Sequence, residues 1–203
     1  MPPDPSPALA PGAIHDRPLP YSGRLQARDP ATVDLVVLHC TELPDLATAR
    51  EYGEHIVHPG SGTGNSGHFY VDRDGSVHRW VPVERVAHHV RDWNAHSVGI
   101  ELVNRGRWPD WWDSRRQDMV EPYPAAQLDA LVALLALLQR DCPGLRRITG
   151  HEDLDAGTVE ATDAPATLVR RKLDPGPMFP WPQLLARTTL QRWFPGAESP
   201  SPL

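Results

Sequence analysis

Val33-Asp34-Leu35-Val36-Val37-Leu38-His39 is a short, almost unbroken apolar run that closes on a histidine. A run of this length, rich in valine, predicts a buried central strand. Working outward from it, Pro44 to Val57 predicts a helix, with Asp45 as its cap and Leu46, Ala49, Tyr52 and Ile56 on one face. Residues 59–67 (PGSGTGNSG) are glycine- and serine-rich loop, with no GK[ST] to make it a phosphate loop. Asp74-Gly75 between two β-rich runs predicts a hairpin. Ser97 to Val103 (SVGIELV) predicts a second strand, and Arg146 to Gly150 a third, short one running into His151. Pro124 to Asp141 is a helix apolar nearly all round, and Trp181 to Phe194 reads as a last amphipathic helix. Strands and helices alternate, which predicts a single layered α/β domain with helices packed on a central sheet.

The ends read differently. Residues 1–12 form a proline-rich tail that cannot build a core, residues 13–31 an ordered but irregular arm, and residues 195–203 a polar tail, leaving 13–194 as the folded domain. The first residues lack a basic start and a long apolar stretch, so the expected location is the cytoplasm. No run approaches the ~18 apolar residues of a membrane span. The 203-residue chain carries 20 basic and 26 acidic residues, and a net charge of −6 argues against nucleic acid as partner. Two cysteines, Cys40 and Cys142, make neither a disulfide framework nor a four-cysteine zinc site; beside apolar stretches they read as small core residues.

In open sheets chemistry gathers where strands end, so polar residues that close apolar runs are the candidates. His39 ends the first strand, Glu101 interrupts SVGIELV, and His151 follows RRITG. Downstream, Lys172 and Asp174 stand two apart, on one face of an extended segment. Two histidines and a carboxylate with an open fourth position make a catalytic zinc set. Glu101 beside it would serve as proton carrier, and Lys172 as oxyanion stabiliser. Taken singly, each residue fits a structural role better: a lone strand-end histidine is more often a hydrogen-bonded core residue than a ligand, and Lys172 with Asp174 most often a solvated pair.

Taken together, five blocks resemble the zinc-dependent N-acetylmuramoyl-L-alanine amidases, a family whose fold also serves AmpD-type recycling amidases, phage amidases and peptidoglycan recognition proteins. The blocks are VVLHCTE, SGHFYVDRDGSV, AHHVRDWNAHSVGIELVNRG, ITGHEDL and KLDPGP, in family order across roughly residues 33–185. The resemblance implies a mixed central sheet with flanking helices and a groove for a sugar–peptide substrate. It implies Zn²⁺ on His39, His151 and Asp174, Glu101 to deprotonate the water, and Lys172 on the developing oxyanion. His89, Trp93 and Asn94, in HVRDWN, are expected to touch substrate.

The link from His151 to Asp174 is longer than the family's usual connection and carries Asp153, Asp155 and Asp163 as rival carboxylates; the KxDPGP context favours Asp174. Trp108, Trp111 and Trp112 lie in an aromatic–basic loop whose Arg105, Arg107, Arg115 or Arg116 would read substrate carboxylates. The expected activity is hydrolysis of the amide between N-acetylmuramic acid and L-alanine in muropeptides, by a monomer in cell-wall recycling. The alternatives are an exported enzyme acting on intact peptidoglycan, and a non-catalytic peptidoglycan receptor on the same fold.

Overall fold

Strand β2 (Leu35–Cys40) is buried at every position and lies inside the sheet, with a strand paired on each side. Apolar side chains on both of its faces leave it no route to solvent, which is why the run lacks alternation. The computed structural model describes residues 14–196. The expected tail over 1–12, and residues 197–203 of the expected C-terminal tail, lie outside the described residues.

The other sheet strands are β1 (Ile14–Asp16), β3 (Phe69–Val71), β4 (Val77–Arg79), β5 (Ser97–Leu102), β6 (Arg147–Gly150) and β9 (Gln191–Arg192). A separate hairpin, β7 (Thr158–Glu160) and β8 (Leu168–Arg170), occupies the long link before Asp174. The helices are α1 (Leu46–Glu54), α2 (Ala125–Asp141), α3 (His151–Leu154) and α4 (Trp181–Leu185). Strand order is β1-β4-β3-β5-β2-β6-β9. β3–β4 is the antiparallel hairpin around Asp74-Gly75, and the remaining pairs of this sheet are parallel, so the sheet is mixed.

Alternation along β2 divides the core. Val36 and Leu38 face α2, joining Val98, Ile100, Leu131, Leu134 and Leu138. Leu35 and Val37 face the other way, against Val90. His39, two beyond Val37, continues that second face. Cys40 and Cys142 are both buried and unbridged. No helix among the described residues is long and apolar enough to cross a membrane.

Three expectations need correcting. The 13–31 arm is not wholly irregular: β1 adds a strand to the sheet edge in register with β4. Helix α1 keeps Asp45 as cap, its carboxylate accepting from Thr48 N–H at 2.7 Å, and turns Ala49 and Leu46 to the core as expected, but its other buried position is Gly53 rather than Tyr52 or Ile56. Tyr52 and Ile56 are about half exposed (46% and 49%), because Gly53 is the position that fits against the Trp80 ring. The last helix stops at Leu185 rather than Phe194. Beyond it, Gln191 N–H donates to the Arg146 carbonyl (2.9 Å) and Trp193 N–H to Ile148 (2.9 Å), so the open edge of β6 takes the segment as β9. A free sheet edge offers backbone partners that a helical period does not reveal.

Candidate metal centre and groove

Sheet register assembles the site. His39 lies opposite Glu101 across β2–β5, and Glu101 opposite Tyr70 across β3–β5. Leu38 lies opposite Gly150, so the next residue of each chain segment sets His151 beside His39. One row across the ends of adjacent strands therefore presents Tyr70, Glu101, His39 and His151. Asp174 enters from the loop after β8, with its carbonyl accepting from Glu152 N–H (2.9 Å); the next carbonyl, of Pro175, accepts from Tyr123 Oη (2.7 Å).

His39 Nδ1 lies 3.0 Å and His151 Nδ1 3.1 Å from the same oxygen, Asp174 Oδ2. All three residues are buried, and their donor atoms lie within 4.8 Å of one another. Asp174 Oδ1 is buried without a hydrogen-bond partner. Two imidazole nitrogens converging on an acid whose second oxygen lacks a donor is an arrangement that a divalent cation completes. Imidazole and carboxylate together suit zinc. The rival carboxylates are engaged elsewhere: Asp153 with Arg192 (2.6 Å), Asp155 with Arg171 (2.7 Å) and Asp163 with Ser114 (2.8 Å).

Burial governs the protonation of the row. It pushes the His39 imidazole down to about 4, with His151 adding to the push and Asp174 opposing it. Burial also holds the Glu101 carboxyl well above the usual carboxylate range, and the Asp174 charge holds it further up. Desolvation alone would raise Asp174, but His151, His39 and Lys172 outweigh it and keep its carboxyl well below the ordinary value. For Lys172, burial works against the ammonium, yet Asp174, Glu42 and Glu101 together hold its pKa above the usual lysine value.

His68, on the same side of the sheet, is fully buried, accepts from Gly99 N–H (3.0 Å) through Nδ1 and is pushed by burial down to about 3. An unfolded chain protonates its histidines near 6.5, whereas folded His39 and His68 stay neutral to about 4 and about 3. The unfolded state therefore takes up more protons in that interval, and stability falls as pH drops. Glu101 and Glu152, both held up by burial, work the other way, but with His89 also held well below its ordinary value the histidines outnumber them; the thermal midpoint is expected to decline from about pH 6.5 toward pH 4, and a midpoint that rises over that span contradicts the assignment.

The row lies in a groove of about 970 Å³ whose lining includes Glu42, Tyr52, Asn65, Tyr70, Trp111 and Trp112. His89 and Asn94 line this groove, and hydrogen bonds also tie them to its wall. Asn94 Oδ1 accepts from the N–H groups of His89 (3.0 Å) and Val90 (2.8 Å), and His89 Nδ1 lies 3.1 Å from His39 Nε2. Trp93 packs edge-on against Trp193 and borders a smaller neighbouring pocket.

Arg107, which borders the groove, has its charge engaged within the protein. It is buried in a two-pronged ion pair with Glu42 (2.6 and 2.8 Å) and donates to the carbonyls of Arg170 and Arg171. Arg115 and Arg116 pair with Asp113 and Asp110, respectively. The sequence reading missed Tyr70 and Glu42. Tyr70 was legible in principle, as the β-hairpin residue that strand pairing sets opposite Glu101. Glu42 was not, because its partner is 65 residues away.

The sequence profile of the N-acetylmuramoyl-L-alanine amidase family matches residues 29–177. N-acetylmuramoyl-L-alanine amidase AmiD of Escherichia coli (strain K12) is 34% identical over 113 residues, covering 51% of this chain and 35% of the relative. The 1,6-anhydro-N-acetylmuramyl-L-alanine amidase AmpD of Enterobacter cloacae is 31% identical over 128 residues, covering 59% of this chain and 54% of the relative. The chain thus spans between a third and about half the length of these curated relatives. Among solved structures, the N-acetylmuramoyl-L-alanine amidase LysC from Clostridium intestinale URNW superposes with a TM-score of 0.61 at 20% identity, over 88% of this chain and 98% of that one. The profile match covers most of the chain and contains the whole row of site residues, so this chain belongs to the N-acetylmuramoyl-L-alanine amidase family.

Proposed function

We propose that the chain is a zinc-dependent amidase that hydrolyses the amide between the lactyl group of N-acetylmuramic acid and L-alanine in muropeptides. The observation that carries this reading is the convergence of His39 Nδ1, His151 Nδ1 and Asp174 Oδ2, with Glu101 Oε1 4.0 Å from the His39 nitrogen. In this reading residues 13–194 are the catalytic domain, and His39, His151 and Asp174 hold the ion. Zinc bound there supplies an electrophile and lowers the pKa of a coordinated water to about 7.

The rest is the work of side chains. Glu101 takes a proton from the attacking water at its carboxylate. The water oxygen adds to the amide carbonyl carbon, and negative charge develops on the carbonyl oxygen. Lys172, kept cationic by three carboxylates, stabilises that charge. Glu101 then passes its proton to the alanine nitrogen, the C–N bond breaks, and a lactyl carboxylate and a free peptide leave. The groove walls, including Tyr52, Trp111 and Trp112, offer apolar faces to the sugar and peptide. The proposed setting is recycling of soluble muropeptides in the cytoplasm, for which the AmpD likeness is the support; cell fractionation tests it.

The deciding experiment is digestion of purified anhydro-muropeptides with and without a chelator. Free peptide should appear, vanish on chelation and return with added zinc. Tight binding without release would favour a receptor, and release indifferent to chelation would remove the metal from the reaction. His151→Ala is expected to abolish stoichiometric zinc in metal analysis; retention of one equivalent would strike His151 from the ligand set. Lys172→Ala is expected to lower kcat by about 10²–10³-fold with little change in bound zinc, the loss typical of one oxyanion donor.

A further inference from the structure

The hydrogen bonds behind His39 fix the position of every proton in a short chain. Ser97 Oγ lies 2.7 Å from the Trp93 carbonyl oxygen. A carbonyl has no proton to give, so the single hydroxyl proton of Ser97 lies in that contact. Toward His89 Nε2, 3.2 Å away, Ser97 can therefore only accept, and Nε2 carries the one ring proton of a neutral His89. His89 Nδ1 is then a bare acceptor. His39 Nε2, 3.1 Å from it, must be the donor. That leaves His39 Nδ1 unprotonated, facing Asp174 Oδ2 at 3.0 Å. Two acceptors at this distance leave a place between them that a cation fills.

We infer that Ser97 and His89 form a positioning relay, anchored on the Trp93 carbonyl, which fixes the His39 tautomer so that Nδ1 is the nitrogen presented to the metal. Hydrogen bonds from behind a ligating imidazole set its tautomer and its basicity. The local sequence is shaped to hold the relay. Asn94 Oδ1 grips the backbone N–H groups of His89 and Val90. The His89 ring lies directly on Gly99, where a Cβ would stand 2.5 Å from the ring carbon Cγ. Only glycine leaves room for the ring at that point of β5. Ser97 and Gly99, two apart on the strand, thus serve one side chain, Ser97 through its hydroxyl and Gly99 by having no side chain. His89, expected from the sequence to touch substrate, also stands behind His39.

The relay rests on the zinc reading of the site, and its test separates the two. In ¹⁵N-edited NMR of the zinc-loaded protein, His39 should show a protonated Nε2 and a proton-free Nδ1, and His89 the same. A proton on Nδ1 of either ring overturns the relay. Ser97→Ala removes the acceptor and lets the His89 proton move to Nδ1, which would turn the His39 tautomer round. Zinc affinity in a chelator competition should then fall about 10–100-fold with the folded state intact, and Ser97→Thr should recover most of it. A change within about threefold for Ser97→Ala overturns the relay, because losing the hydrogen bonds behind a ligating imidazole typically costs about tenfold or more. A wild-type chain that takes up no zinc removes both readings; zinc uptake with the opposite tautomers removes the relay alone.

Discussion

Glu101→Gln should leave zinc content and thermal midpoint near wild type while turnover of muropeptide falls by about 10²–10⁴-fold, the usual contribution of a positioned general base. The glutamine is nearly isosteric and keeps hydrogen-bonding capacity, so the row Tyr70–Glu101–His39 retains its shape. What it loses is a site that can take a proton from water and return it to the departing nitrogen. The carboxyl's environment suits the double task. Burial and the Asp174 charge raise its proton affinity, while Lys172 opposes that rise. Steady-state kinetics alongside metal analysis separates the possibilities. Loss of zinc in this variant would mean that Glu101 is a ligand, and unimpaired turnover would move the proton carrier elsewhere in the groove.

The second large effect is on stability. Arg107→Met is expected to cost about 3–5 kcal/mol, because it strands the Glu42 carboxylate in a buried position. Both partners are largely shielded, with side chains 1% and 8% exposed. Glu42 also adopts a left-handed backbone (φ 49°), which few residues other than glycine accept without support. Its support is visible: Trp111 Nε1 donates to its carbonyl (3.0 Å), and its carboxylate takes Arg107 on two oxygens. Gly106, at φ 51°, is needed beside it, since a Cβ there would stand 2.6 Å from Glu42 Cγ.

Arg107 further holds the carbonyls of Arg170 and Arg171, directly before Lys172. The substitution should therefore lower activity beyond its effect on folding. A double variant, Glu42→Leu with Arg107→Met, should recover much of the lost midpoint, since a buried pair replaced whole costs far less than one broken. Equal midpoints for the single variant and wild type would show that the pair is solvated in solution.

Features set by local chemistry were legible in the sequence. The β2 run, the Asp45 cap, the Asp74-Gly75 hairpin and α2 each declare themselves within a dozen or so residues. The candidate ligands were legible for a related reason: a polar residue closing an apolar strand is conspicuous. What escaped depended on distant partners. Gly53 became the buried position of α1 because Trp80 lies across from it. The segment after Leu185 became a strand because β6 had an open edge. Arg107 looks like a surface charge until Glu42 is brought to it. In each case the deciding contact joins residues far apart in sequence, where periodicity carries no information.

His39 and Asp174 are separated by 135 positions, and the two imidazoles by nearly as many. No local segment therefore holds all three candidate ligands; they meet only when β2, the strand leading to His151 and the loop after the β7–β8 hairpin have all docked. On the zinc reading, ion capture and completion of the tertiary structure would be one thermodynamic event, and free zinc above its dissociation constant should raise the melting temperature by mass action. A chain truncated before Asp174 would lose that stabilisation along with the ligand.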